Sequence, residues 1–251
     1  VNAVLGEQVY AELGTTSGTT IVEGDIASVK ANESSWQNSC NDAAIVVLSR
    51  AGGESTDAAM KTEEGRNYLA LSSQEEDLMS YLKQQKEAGV FGSIIVLVNS
   101  EQAMELGWLD EYDVDACLVV GRPGAVGYTG ILNVLTGAAN PSGRLVDTYA
   151  SNSLSAPATV FAGENTQTWA NLDWVENNDV DFGTDGSENN WIVYAEGIYV
   201  GYKYYETRYE DTVLKAGNAD STKGSSTGNA WNYADEVSFT FGDGLSYTTF
   251  E

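Results

Sequence analysis

The chain has 251 residues, of which 42% are hydrophobic, so it can bury the core of one large domain or two small ones. Its formal net charge is -25, from 12 Lys and Arg against 37 Asp and Glu, which makes nucleic acid and anionic membranes poor partners because phosphate binding needs clustered cations. The absence of histidine excludes Ser-His-Asp and Cys-His nucleophile systems and the usual histidine-bearing zinc sites. No apolar run reaches the roughly 18 residues of a membrane span. The first residues lack a secretion-signal pattern, which leaves the compartment open.

Three short apolar runs predict the strands of a parallel sheet. They are Ala43 to Leu48, Ser93 to Val98 and Ala116 to Val120, and none of them shows polar alternation. Such runs are typical of strands that are covered on both faces. The third run is expected to be a central strand.

Helices are predicted before and between these strands. Ser72 and Glu75 form a capping box that begins a helix reaching to about Ala88. Further helices are predicted over Ala3 to Leu13, Asp25 to Asn38 and Glu101 to Leu109. The alternation of strand and helix indicates an α/β fold with right-handed crossovers, whose ligands bind at the carboxyl ends of the strands.

The third strand leads into a Gly/Pro turn, a helix and a Gly-rich exit. The helix carries apolar residues at roughly helical spacing: Val126, Ile131, Val134 and Leu135. Gly137 follows as a stop signal. This segment is therefore a further strand-and-helix unit of the sheet.

The pattern changes after Tyr149. Residues 151–190 and 215–230 are rich in small polar residues and glycine, and we expect long loop excursions there. Between them, the segment from Trp191 to Tyr205 is dense in aromatic and β-branched residues, which favours a strand or hairpin. The closing segment FTFGDGLSYTTFE predicts a strand and a turn.

The two cysteines, Cys40 and Cys117, allow at most one disulfide. Cys117 lies inside a predicted strand, so the pattern favours a plain apolar thiol. Cysteine content therefore assigns no compartment.

Three motifs together resemble one known family. They occur in the family's order: GRPGAVGYTGILNVLTGAANPSGRLVDTY, YAEGIYVGYKYYE and FTFGDGLSYTTF. The chain resembles the α/β-sandwich domain of glycoside hydrolase family 3, which includes β-glucosidases and β-xylosidases. The resemblance implies a flavodoxin-like (α/β)6 sandwich, with a mostly parallel sheet between helices and long loop insertions. It covers most of the chain, which we expect to be a single domain over residues 1–251.

The resemblance also implies that the catalytic groups are divided between two domains. The family's nucleophile, an Asp, lies on a separate (β/α)8 barrel, and the barrel's Ser-Asp-Trp signature has no match here. The segment SRAGGESTD after the first strand is similar to the family's Ser-Arg-x-Ser-Gly-Glu-Gly segment. This similarity places the general acid/base at Glu54. Glu63 and Glu64 on the same loop are the fallback candidates.

The resemblance further implies a substrate and partners. The substrate is a β-linked glucoside or xyloside, cleaved from the non-reducing end with retention, and no metal or cofactor is implied. The partners are the barrel and a fibronectin-III-like module after Glu251, and without the barrel the chain is expected to be inactive.

Arg144 is expected in a structural ion pair. For five tyrosines, packing is favoured over stacking on sugar rings: Tyr194, Tyr199, Tyr202, Tyr204 and Tyr205.

Two other functions stay open. In the first, the sandwich shapes the sugar pocket and the interdomain interface while the acid/base lies elsewhere. In the second, the chain is a flavodoxin-like nucleotide binder. Its acidity and the lack of a GxGxxG or P-loop lysine pattern count against nucleotide binding.

Overall fold

A computed structural model describes residues 26–31, 33–37, 42–52, 58–157, 197–217, 219 and 221–249. The predicted helix from Ala3 to Leu13 and Cys40 lie outside these ranges. The contacts divide the chain into two units. Unit 1 comprises Val1–Ala51, Leu71–Gln102 and Gly107–Ile131, and unit 2 comprises Gly52–Ala70, Ala103–Leu106 and Leu132–Glu251.

Unit 1 contains a parallel three-stranded sheet. Its strands are β1 (Ala43–Ser49), β2 (Ser93–Asn99) and β3 (Ala116–Val119), hydrogen-bonded in that order. Ile45 is paired with Ile95 on β2, and Val96 of β2 is paired with Cys117. The predicted α/β class and parallel sheet are confirmed.

The centre of this sheet is β2 rather than the third strand. Ile94, Val96 and Val98 are each 0% exposed, and burying such a side chain contributes about 1.5–3 kcal/mol. Among the described strands β3 pairs only with β2, and both ends of β3 are exposed. Among the described strands, Ala116 to Val119 is therefore an edge strand and not the central strand that its apolar run predicted. An apolar run reports how hydrophobic a strand is, but not how many neighbours it has.

The helices of unit 1 follow the sequence prediction closely. The predicted helix from Asp25 to Asn38 is present as α1 (Ile26–Ala31) and α2 (Glu33–Trp36). Trp36 of α2 packs edge-on against Tyr81 of α3 (Ser73–Glu87), with ring centroids 6.3 Å apart. The capping box of α3 is confirmed, because Ser72 Oγ accepts the Glu75 N–H at 3.2 Å and Glu75 Oε2 accepts the Ser72 N–H at 2.8 Å. Met79 of α3 is completely buried, and the helix packs on β2.

The predicted helix from Glu101 to Leu109 does not form, and these residues make bends, turns and irregular backbone instead. Met104 and Leu106 are both buried although they lie two residues apart, which is the spacing of an extended segment. The Glu105 N–H donates to the Leu69 carbonyl at 2.9 Å. This N–H is therefore bonded to a neighbouring segment and not within a helix.

Helix α4 (Gly124–Leu135) follows β3 as predicted. Its end is set by Gly137, whose φ of +74° is readily adopted only by glycine. The predicted apolar face is only partly buried, since Ile131 and Leu135 are half-buried and Val126 is 85% exposed.

Unit 2 contains the helices α5 (Tyr202–Leu214) and α6 (Tyr233–Glu236) and a two-stranded antiparallel sheet. Its strands are β4 (Tyr149–Ala150) and β5 (Val237–Phe239), so the predicted closing strand is present. Among the described residues of this unit, one hydrophobic cluster contains four buried residues: Ala150, Tyr205, Trp231 and Val237.

The aromatic segment before this core differs from its prediction. Residues 202–205 begin α5 rather than lying in a strand, because packing of Tyr205 into the core overrides the local β-propensity. Of the two predicted excursions, residues 158–190 lie outside the described ranges. The described residues of 215–230 form turns and irregular backbone. Within the described part of the chain, no helix is long and apolar enough to cross a bilayer.

Candidate functional site

The carboxyl ends of the three parallel strands form a polar edge in unit 1, which we call the carboxyl edge. It comprises Ser49 and Arg50 at the end of β1, Asn99 and Ser100 at the end of β2, and Gly121 after β3. Asn99 Nδ2 donates to Ser49 Oγ at 3.2 Å, which joins the first two strand ends. Ligands of open parallel sheets bind at such an edge.

The most constrained contact at this edge is a buried ion pair between Arg50 and Glu75. Arg50 Nη1 donates to Glu75 Oε1 at 2.8 Å, and Nη2 donates to Oε2 at 2.7 Å. The two side chains are only 5% and 7% exposed. Arg50 Nη1 also donates to the Ser49 carbonyl at 2.8 Å. The guanidinium therefore connects the end of β1 to the first turn of α3.

The same carboxylate also closes the capping box of α3. Glu75 Oε2 receives both Arg50 Nη2 and the backbone N–H of Ser72. Removing one partner of a buried ion pair leaves an uncompensated charge and typically costs about 3–5 kcal/mol. The sequence predicted Glu75 as a capping residue and missed its pairing with Arg50, because the two residues are 25 positions apart.

The predicted acid/base, Glu54, lies in residues 53–57, outside the described ranges. The sequence places it four positions after Arg50, so the described residues establish where its loop begins. The loop is described again from Ala58.

The fallback candidates Glu63 and Glu64 lie on an exposed turn of unit 2. The Thr62 N–H donates to the Arg66 carbonyl at 2.8 Å and closes this turn. Glu64 is 59% exposed and lies 3.8 Å from Arg66. In the described part of the chain both carboxylates are exposed to solvent, and both stay fallback candidates.

The return of the loop is fixed within unit 2 by one carboxylate. Glu105 Oε1 accepts Asn67 Nδ2 at 3.0 Å, the Ser153 N–H at 2.7 Å and Ser153 Oγ at 2.8 Å. Asn67 Nδ2 also donates to Asn152 Oδ1 at 3.1 Å. These bonds hold the loop end in a defined position.

The tyrosines that were considered for sugar stacking mostly pack inside unit 2. Tyr202 stacks on Phe241 with ring centroids 3.9 Å apart, and Tyr205 is buried in the core. Tyr204 Oη accepts Arg208 Nη1 at 2.8 Å. These three side chains are therefore structural.

The other two tyrosines are treated separately. Tyr194 lies outside the described ranges. Tyr199 is partly exposed and lines a cavity of about 180 Å³ in unit 2, together with Asp147 and Thr148.

Arg144 has a structural contact, but its partner is a backbone carbonyl. The guanidinium donates to the carbonyl of Gly244, and the neighbouring Leu145 N–H donates to the Asp243 carbonyl at 2.8 Å. The expected ion pair with a carboxylate is absent from the described residues. The contact holds the closing segment against the Gly-Arg stretch.

Potential metal ligands do not cluster in the part of the chain that the structure describes, where no three Cys, Asp or Glu side chains come together. Cys117 is a free thiol, and burial raises its pKa to about 12. This agrees with the prediction of an apolar thiol rather than a nucleophile or ligand.

The parallel sheet and its carboxyl edge define the chain as an α/β domain with a loop-borne candidate site. Residues 3–202 match the glycosyl hydrolase family 3 C-terminal domain, and the chain belongs to this family.

Individual relatives agree with this assignment. The chain is 29% identical over 211 residues to a β-glucosidase from Ruminococcus albus, covering 84% of this chain and 16% of that protein. It is 32% identical over 149 residues to β-glucosidase B from Emericella nidulans, covering 59% of this chain and 13% of that protein. The structure of β-glucosidase 3B from Thermotoga neapolitana in complex with α-D-glucose matches with a TM-score of 0.62 and 26% identity, covering 99% of this chain and 28% of that one. The chain therefore spans less than a third of each of these relatives.

Proposed function

We propose that this chain supplies the general acid/base, Glu54, to a retaining, exo-acting β-glycosidase that hydrolyses terminal non-reducing β-D-glucosides. The observation that carries the proposal is membership of the family 3 C-terminal domain, with relatives that are named β-glucosidases. The position of the Glu54 loop, directly after β1 at the carboxyl edge, supports it further.

The proposed reaction uses two carboxyl groups. In retaining glycosidases these lie about 5–5.5 Å apart on either side of the scissile bond. An Asp of a (β/α)8 barrel attacks the anomeric carbon, and Glu54 protonates the departing oxygen. Glu54 then takes a proton from the water that releases the sugar.

The barrel also makes Glu54 suitable as an acid. A carboxyl group donates a proton near neutral pH only when its pKa is raised by burial or by a nearby negative charge. The barrel supplies both, through the closed pocket and through the ionised nucleophile. No metal takes part in this scheme.

The proposed substrate is a glucoside, with a xyloside as the alternative. The relatives are named β-glucosidases, and the Thermotoga neapolitana structure contains α-D-glucose. The barrel as partner, a fibronectin-III-like module after Glu251, and a single sandwich domain over residues 1–251 belong to the same proposal.

The test is the kinetics of Glu54→Ala in the complete enzyme that contains this chain. Rates are compared for an activated dinitrophenyl β-glucoside and a poorly activated phenyl β-glucoside. We expect the phenyl substrate to lose about 10²–10⁴-fold in kcat/KM, because its leaving group needs the proton, and the dinitrophenyl substrate to lose much less. Azide should restore turnover of the activated substrate and yield a glycosyl azide.

Glu63→Ala and Glu64→Ala serve as matched controls, because they remove the other two glutamates of the same loop. Both are expected to retain normal rates on both substrates. Normal rates for Glu54→Ala would instead favour a non-catalytic module that shapes the sugar pocket. Saturable binding of a nucleotide by the 251-residue chain would favour the flavodoxin-like alternative.

A further inference from the structure

We propose that the cavity in unit 2 binds one neutral sugar ring, with Tyr199 as the face on which the ring stacks and Asp147 as an acceptor for its hydroxyl groups. The inference goes beyond the proposed function and does not depend on the role of Glu54. The site belongs to unit 2 by itself, because the described residues that line the cavity all fall within the three ranges of that unit.

The first argument is the size of the cavity. Its volume is about 180 Å³. An apolar cavity of about 150 Å³ can hold one benzene molecule, and pockets for larger ligands have about 300–1,000 Å³. The cavity in unit 2 therefore has room for one six-membered ring with its substituents, but not for an oligosaccharide or a nucleotide.

The second argument is the mixture of surfaces around the cavity. Three alanines contribute apolar wall: Ala103, Ala150 and Ala156. Tyr199 and Asp147 also line the cavity, and Tyr199 is 46% exposed, so part of its side chain is free for a ligand. A sugar ring has the matching surfaces, because its C–H groups form an apolar face and its hydroxyls form a polar edge. Mostly apolar walls with a few polar groups are typical of small-molecule sites.

The third argument is the hydrogen-bonding capacity of Asp147. Its Oδ1 accepts the Thr148 N–H at 2.8 Å, whereas Oδ2 has no partner among the described residues. The carboxylate lies close to Gly201, the N-cap of α5, where a Cβ would be 3.1 Å from Oδ1. The positive end of the helix dipole helps to hold it there. Asp147 thus offers a fixed acceptor to the hydroxyls of a ligand.

A second polar side chain at the cavity is left without a partner. Thr148 is 5% exposed, and its hydroxyl makes no hydrogen bond within the part of the chain that the structure describes. A buried hydroxyl without a partner is costly in a folded protein. A sugar hydroxyl, which both donates and accepts, is the kind of group that would satisfy it.

The charges around the cavity favour a neutral ligand. Among the described residues that line it, Asp147 is the one charged side chain. Its charge is already balanced in part by the Thr148 N–H and by the N-terminus of α5. An anion would be repelled by this carboxylate, and a cation would find no second carboxylate to replace its water shell.

The main test is the binding of D-glucose to the 251-residue chain, measured by titration calorimetry. We expect saturable binding with a Kd of about 1–10 mM, since a single ring makes few contacts. Tyr199→Ala should weaken binding at least about 10-fold by removing the stacking face. Tyr209→Ala is the matched control, because Tyr209 belongs to the same unit, is 47% exposed and does not line the cavity. It should leave the Kd unchanged.

Two further variants test the rest of the site. Asp147→Asn keeps the shape of the side chain and one acceptor oxygen but loses the charge, so it should weaken binding about 3–10-fold. Ala156→Leu adds bulk at the cavity wall without removing a polar group and should abolish binding. A cooperative thermal transition in each variant shows that the loss does not come from unfolding.

A measurement on the complete enzyme that contains this chain makes the test independent of how well the chain folds alone. Equilibrium dialysis with radiolabelled D-glucose should give one fewer saturable site per molecule for Tyr199→Ala than for the unchanged enzyme. Neither measurement uses hydrolysis, so the outcome is separate from the kinetic test of Glu54.

The outcomes decide the inference. Glucose binding that is lost in Tyr199→Ala and Ala156→Leu and kept in Tyr209→Ala supports it. An equal number of glucose sites in the complete enzyme with and without Tyr199→Ala would overturn it, and so would an equal loss in Tyr209→Ala. Binding of tetramethylammonium in place of glucose would assign the cavity to a cation and also overturn it.

Discussion

Three buried charged side chains in the described part of the chain are accommodated by three different kinds of contact. Arg50 has a bidentate carboxylate partner, whereas the guanidinium of Arg208 lies 4.8 Å from the centre of the Trp231 ring. Such a cation–π contact contributes about 2 kcal/mol when it is desolvated. Glu236, also buried, accepts the backbone N–H of Ser226 at 2.7 Å. These contacts depend on the shape of the partner as well as its charge, which is why none of them followed from composition.

Cys117 provides a prediction about the reactivity of a single residue. Because burial raises its pKa to about 12, only a minute fraction of the thiol is ionised at pH 8. In a Cys40→Ser variant, iodoacetamide should modify Cys117 at least about 100-fold more slowly than a free cysteine. Adding denaturant should restore the normal rate. Rapid modification of the native protein would contradict the burial of this thiol.

Among the elements, α3 is held at both ends by side chains. At its first turn, Ser72 and Glu75 form the capping box. At its last turn, Lys86 Nζ lies 2.8 Å from Asp115 Oδ2, which also accepts the N–H of Ile94 at the start of β2. The first of these anchors was predicted because its partners are three residues apart, and the second depends on the fold.

Asp115 makes the stability of this element depend on pH. The hydrogen bond from Lys86, followed by that from the Ile94 N–H, lowers the pKa of Asp115. A carboxyl whose folded pKa lies below its unfolded value of about 3.9 stabilises the protein above that pH, and the contribution is lost as the pH falls through the folded pKa. Asp115→Asn should therefore lower the melting temperature at pH 7 and have little effect at about pH 2. Since Asp115 is 40% exposed, we expect a loss of about 1 kcal/mol or less.

Ser72→Ala is the matched control for this pH dependence. It removes a capping hydroxyl that does not titrate, so it should lower stability by about 1 kcal/mol at both pH values. An Asp115→Asn variant that lost the same stability at both pH values would show that the carboxylate charge does not matter.

At the scale of the whole molecule, the chain contains only part of what its relatives contain. It spans 16% of the Ruminococcus albus β-glucosidase and 28% of the Thermotoga neapolitana chain, and it has no match to the barrel signature. Under the proposed function one carboxylate of the pair is then missing, so the covalent step cannot occur.

The isolated 251-residue chain should therefore be inactive. We expect hydrolysis of dinitrophenyl β-glucoside at the rate of buffer alone, measured by release of the coloured phenol. Adding a polypeptide with the family's barrel should produce turnover if the two parts associate. Turnover by the chain alone that disappears in Glu54→Ala would show that the chain carries a complete site.

The sequence by itself determined the α/β class, β1 and β2, the capping box of α3 and the end of α4 at Gly137. These features are local, because hydrophobic runs, hydrogen bonds between Ser72 and Glu75, and a glycine with positive φ involve residues close together in the chain. The similarity of SRAGGESTD to a family motif likewise needed no structure, and Glu54 stays a prediction.

Only the tertiary structure decided features that depend on distant residues. It placed β2 between β1 and β3, gave Glu101 to Leu109 bends, turns and irregular backbone, and began a helix at Tyr202 where β-propensity favoured a strand. It also paired Arg50 with Glu75 across 25 residues. The physical reason is that burial and ion pairing are set by whichever segments the fold brings together, and no pattern within a short stretch of sequence carries that information.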